Sequence, residues 1–117
     1  MRVFRTKWFT KAARSHGIQD VALCDALKRV LEGKAEDLGG GVYKKRLNKN
    51  RDRSIILAKG GQNWFYAFLF SKQDKANIDD AELAAFKVLA KQYAVLEDVK
   101  LTEMIRKNEL VEICREC

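Results

Sequence analysis

Proline is absent from this 117-residue chain, histidine occurs once and cysteine three times. Each scarcity excludes something. With no proline and no serine-rich or glycine-rich stretch beyond Gly39-Gly40-Gly41, nothing resembles a tether between folding units, and no repeat or low-complexity tract points to an array. The longest strongly apolar run, residues 64–70, falls far short of the roughly 20 residues a helix needs to cross a bilayer. No apolar signal core follows the opening Met-Arg-Val-Phe-Arg, so a cytoplasmic location without membrane partners is expected. At 47% hydrophobic content the chain can bury a core without staples, and one domain over residues 1–117 is expected.

The cysteines are too few, and of the wrong parity, for a disulfide framework in a chain with no export signal. Cys24 lies on an apolar helical stripe and reads as a core residue. Cys114 and Cys117 form a C-x-x-C, but zinc needs two further ligands and only Cys24 and His16 remain. No metal is expected, and these two thiols read as part of a loosely held tail.

Net charge is lacking everywhere except residues 42–75. That segment carries Lys44, Lys45, Arg46, Lys49, Arg51, Arg53, Lys59, Lys72 and Lys75 against Asp52 and Asp74, while the remainder balances 14 basic against 14 acidic residues. The whole net charge of +7 therefore belongs to one third of the chain. A local cationic patch concentrates positive potential where a polyanion docks, whereas evenly spread charge mainly aids solubility. The competing reading is a solvated, lysine-rich hairpin that keeps a sheet edge from aggregating.

Periodicity supplies the elements. Residues 1–5 suit a short strand, and Thr6 caps a helix with Phe9, Ala12 and Ala13 on one face and Gly17 as its left-handed stop. Leu23, Leu27, Val30 and Leu31 trace a second helix from Asp20 to near Gly33. After the triple glycine the period falls to two. Residues 42–48 alternate Tyr43 and Leu47 against Lys44 and Arg46, residues 53–59 contain Ile55, Ile56 and Leu57, and Gly60-Gly61 turns the chain. Residues 63–71 place Trp64, Tyr66, Phe68 and Phe70 on one face and Phe65, Ala67 and Leu69 on the other.

Asp79 and Glu82 form a capping box for a third helix through Leu83, Phe86, Ala90 and Tyr93, ending near Leu96. Asp98 caps a short helix with Leu101, Met104 and Ile105, and Leu110, Val111 and Ile113 close the tail among acidic residues. The order is β-α-α-β-β-β-α, a core of residues 1–96, plus a C-terminal helical appendage over residues 97–117. Strands gathered after helices favour an α+β fold, an antiparallel-rich small sheet with helices on one face, over a doubly wound parallel sheet.

That order, with Leu38-Gly39-Gly40-Gly41, Lys44-x-Arg46, Arg53-x-Ile55-Ile56-Leu57, Phe70-x-Lys72 and Asn77-Ile78, resembles the RelE/ParE superfamily of bacterial toxins over roughly residues 1–96. Within it, the chain is most similar to the HigB-like, phage-derived RelE-like branch. The resemblance implies a RelE-like toxin of a type II toxin–antitoxin module with a cognate antitoxin and no cofactor. Most members cut messenger RNA in the ribosomal decoding site, whereas a ParE branch poisons DNA gyrase. In the HigB-like branch a Lys-x-Arg pair, an Arg opening the next strand and a Lys after the last strand line a concave basic site. Those motifs fall on Lys44, Arg46, Arg53 and Lys72. The glycine-rich basic loop of many relatives is replaced here by Leu47-Asn48-Lys49-Asn50-Arg51-Asp52, so that contact is either missing or supplied by Lys49 and Arg51. Lys45 and Lys75 are further RNA-binding candidates.

Metal-free RNA cleavage deprotonates a 2′-hydroxyl, stabilises charge on a phosphorane-like transition state and protonates the leaving 5′-oxygen. Fixed cations serve the second task, and a cationic cluster can bring an amine into proton-exchanging range. Arg46 and Arg53 are therefore assigned to transition-state stabilisation, and Lys44 and Lys72 to proton transfer or phosphate clamping. His16 sits at a helix end, where the macrodipole favours a cation. Tyr43, Tyr66 and Tyr93 fall on apolar stripes, Trp64 and Phe65 read as core rather than as base-stacking surfaces, and Asp79 and Asp80 read as helix-start residues. Three readings stand: a metal-independent, ribosome-dependent mRNA endoribonuclease, a gyrase inhibitor, and a non-catalytic RNA-binding module.

Overall fold

The computed structural model describes residues 1–47, 53–73, 75 and 77–115. Its elements run β1 (Val3–Thr6), α1 (Lys7–Ser15), α2 (Asp20–Leu31), β2 (Glu36–Gly39), β3 (Val42–Arg46), β4 (Arg53–Gly60), β5 (Asn63–Ser71), α3 (Asp80–Ala94), α4 (Asp98–Arg106) and β6 (Leu110–Ile113). The fold is α+β. Six strands form one mixed sheet in the order β2-β3-β4-β5-β1-β6, in which β1 runs parallel to β5 and every other pair is antiparallel.

Helices cover both faces of this sheet, which corrects the expectation of one covered face. Val3, Ile55, Leu57, Trp64 and Tyr66 turn toward Phe9 of α1 and Leu23, Leu27 and Val30 of α2. Phe4, Ala58 and Phe65 turn the other way, toward Ala90 of α3 and Leu101 of α4, and Val42, Ile56 and Phe70 meet Leu83 and Phe86 of α3. The cause lies in β4 and β5, whose apolar runs are buried on both sides and so need cover on both.

The C-terminal segment also differs from a helical appendage. After α4 the chain returns as β6, which pairs antiparallel with β1, and Leu110 and Ile113 are buried. The apolar residues of the tail are core. β2 is a further strand that the polar sequence of residues 36–39 did not announce. Glu97 rather than Asp98 takes the N-cap position of α4, and Asp98 lies in the first turn.

A bulge in β5 overturns the expected aromatic face. Leu57 pairs with Tyr66 and Ile56 with Phe68, so Ala67 has no partner across the ladder and the alternation shifts by one. Trp64 and Tyr66 therefore share a face with Leu69, whereas Phe65, Phe68 and Phe70 lie on the other.

Local signals hold at the helix starts. The Thr6 hydroxyl accepts from the Phe9 amide at 3.2 Å, and Asp79 with Glu82 forms the capping box of α3. Gly60 allows the end of β4 to touch the end of α3. A Cβ there would stand 2.7 Å from the Tyr93 Cβ and 2.8 Å from the Ala94 amide nitrogen.

The expected free thiols of Cys24 and Cys114 are instead joined in a disulfide, with Cα atoms 5.6 Å apart. Packing of α2 beside the end of β6 brings them together. Cys117 lies outside the described residues. No helix among those described is long and apolar enough to cross a membrane.

Candidate functional site

The strand register gathers most of the candidate cations at one end of the sheet. Arg46, the last residue of β3, pairs with Ser54, and Arg53, the first of β4, pairs with Ser71, the last of β5. Lys72 follows directly and is exposed, as is Arg46. Lys49 and Arg51 lie outside the described residues. Lys59, at the far end of β4, sits 5.5 Å over the Trp64 ring.

Alternation divides this group between faces. Lys44 and Arg46 follow Val42 onto the α3 side, whereas Arg53 follows the parity of Ile55 onto the α1–α2 side, together with Lys45. Arg46 and Arg53 thus reach the same end of the sheet from opposite faces. Lys45, with Lys44 and Arg46, borders a shallow cavity of about 410 Å³ between β3 and the chain after α2.

Two lysines are held in place. Lys44 is half-buried, donates from Nζ to Asn77 Oδ1 at 3.2 Å and stands 5.9 Å from the centre of the Phe70 ring. Lys75 is ion-paired with Glu82 and stands 5.7 Å over Phe68. The hydrogen bond from Lys75, aided by the Asp79 amide, holds the Glu82 carboxyl below its usual range. Lys44 is thus held in position by a neutral partner, whereas Lys75 has its charge already matched.

The remaining titratable candidates sit where core or capping roles put them. His16 is the C-cap of α1. Tyr66 is fully buried and donates from its hydroxyl to the Leu23 carbonyl at 2.6 Å, while Tyr43 packs on Trp64 with ring centres 5.2 Å apart. Tyr93 stacks on Phe65 at 3.9 Å, and burial pushes its phenol up to about 12. Trp64 and Phe65 are buried, which bears out their reading as core.

Two residues make contacts that sequence reasoning missed. Asn77 belonged to a motif, but its grip on Lys44 spans 33 positions and has no local signature. Trp8 is 51% exposed beside the fully buried Phe9, and its ring centre lies 4.8 Å from that of Phe68. The one available signal was a tryptophan off the apolar stripe of α1.

The architecture is thus an α+β fold with cations at one end of a mixed sheet. Residues 1–113 match the family described as RelE toxin of RelE / RelB toxin-antitoxin system. The chain belongs to this RelE toxin family. It is thus a toxin of the toxin–antitoxin kind, a class that generally inhibits translation, with an antitoxin as its partner. The match runs through α4 and β6, beyond the residues that carried the sequence resemblance. No curated protein and no solved structure gives a match.

Proposed function

We propose that this chain is a HigB-like toxin of a type II module that cuts messenger RNA on the ribosome without a metal ion. A cognate antitoxin silences it in the cytoplasm, and residues 1–117 act as a single domain. The observation that carries the reading is the register that puts Arg46, Arg53 and Lys72 at one end of the sheet, with Lys44 on the face of Arg46 and bonded to Asn77.

In this scheme the 2′-oxygen loses its proton and attacks phosphorus, the new 2′-oxygen–phosphorus bond forms, and the bond to the 5′-oxygen breaks as that oxygen takes up a proton. Arg46 and Arg53, approaching from the two faces of the sheet, offset the charge of the phosphorane. Loss of one such preorganised donor costs on the order of 10²–10³ in rate. Lys44 clamps a neighbouring phosphate, and the exposed Lys72 is the candidate proton carrier. Lys45, Lys49 and Arg51 contribute backbone contacts, and Lys75 acts through its pair with Glu82.

Primer-extension mapping of transcripts after induction tests the proposal. Cuts within translated messages, lost in Arg46→Ala and Arg53→Ala variants that remain folded by circular dichroism, are expected. Filamentation with an SOS response and intact transcripts would instead make the chain a gyrase inhibitor. RNA binding without cleavage would leave a binding module.

A further inference from the structure

We infer that Trp8 is a stacking shelf for a base of the single-stranded RNA whose phosphates lie on the cationic end of the sheet, an inference that rests on the RNA reading above. The indole is half in solvent on α1. Its inner side is backed by Phe68 at 4.8 Å and a tilt of 31°, and Phe68 is braced in turn by Phe86 at 5.7 Å and Phe70 at 6.0 Å. Phe70 lies beneath the Lys44 ammonium. One unbroken strip of side chains thus joins the proposed phosphate clamp to an open aromatic face.

Charge selects the occupant. α1 carries Lys7, Lys11 and Arg14 and no acidic residue, and Lys44 and Arg46 share the α3 side of the sheet with Phe68 and Phe70. Glu82, a carboxylate beside the strip, is matched by Lys75, and Glu109 adjoins the start of α1, its carbonyl accepting from the Lys7 amide. An apolar peptide would use the indole and leave the cations idle, whereas a nucleic acid strand uses both. A strand with its phosphates on Lys44 and Arg46 presents bases that a backed, exposed indole can stack on without reading their edges.

The test uses fluorescence anisotropy with a labelled short single-stranded RNA and an abasic oligonucleotide of equal length and charge. Stacking on an aromatic side chain is typically worth about tenfold or more per base, so Trp8→Ala should lose that factor for the RNA and nothing for the abasic strand. Trp8→Phe should keep most of the affinity. The salt dependence should stay unchanged in Trp8→Ala, since no phosphate contact is removed. Unchanged RNA affinity in Trp8→Ala overturns the shelf, while a flattened salt slope in Lys44→Ala keeps the RNA reading standing. Wild-type chain that binds neither strand overturns the shelf, whereas the reading of ribosome-bound cleavage falls only if primer extension shows intact transcripts. If Trp8→Ala binds RNA normally but no longer captures the co-expressed antitoxin, the shelf is overturned and the indole belongs to a protein interface.

Discussion

Cys24 of α2 is bonded to Cys114, the residue that follows β6, across 90 positions of sequence. The bond closes most of the chain into one loop and ties α2 to the sheet edge formed by β6 on β1. Both residues also pack against the core on that face.

The unreduced, denatured chain should therefore expose a single reactive thiol, that of Cys117, and all three cysteines after reduction. In a chain-entropy description, a constraint on so long a loop is worth about 4–5 kcal/mol. Cys24→Ser should lower the urea midpoint of the oxidised protein toward that of the reduced one. Identical midpoints for oxidised and reduced wild type would show that the bond does not constrain the unfolded chain.

Lys44 and Asn77 separate charge from positioning. Lys44→Ala should weaken RNA or ribosome binding and reduce the log–log salt slope by about 0.7, the value for one lost single-strand phosphate contact. Asn77→Ala should leave the slope alone, because the ammonium remains, and should lower cleavage in primer extension through loss of the 3.2 Å hydrogen bond that aims it. An equal fall in slope for both variants would assign Asn77 to the binding surface itself.

Stability should fall on both sides of neutral pH for identifiable reasons. Glu112 receives two hydrogen bonds from Arg2, each 2.9 Å, and this pairing holds its carboxyl below the usual range. A lowered folded pKa stabilises the native state above the unfolded value and loses that effect as pH falls through the folded one. Arg2→Ala should thus flatten the acid limb of a urea-midpoint profile. Tyr93 works in the opposite direction, since its phenol, raised to about 12, stays neutral while the unfolded chain ionises near 10. Stability should decline between those values, and absorbance titration of phenolate should show Tyr93→Phe removing the late component.

The sequence was most readable where the cause is local. Thr6, Gly17 and the Asp79 capping box act within one helical turn, and the alternation of residues 42–46 follows from strand geometry alone. The charge asymmetry, which needs only counting, located the cationic end of the sheet. Pairings between distant segments left no comparable trace. Residues 110–113 read equally well as a tail, and Glu36-Asp37-Leu38-Gly39 gave no sign of an edge strand.

The candidate site shows the same division. Charge counting marked residues 42–75 as the cationic segment, and the family resemblance picked Lys44, Arg46, Arg53 and Lys72 out of it as residues suited to phosphate chemistry. Their faces, partners and backing depended on the packed sheet. Arg53 departs from the side of Lys44 and Arg46 because antiparallel register, not proximity in sequence, sets parity between β3 and β4. Phe68 joins Phe70 and Phe86 on the α3 side because the bulge at Ala67 reverses the alternation of β5. A single inserted residue in a ladder is visible only once its partner strand is known, since each strand taken alone keeps its regular period of two.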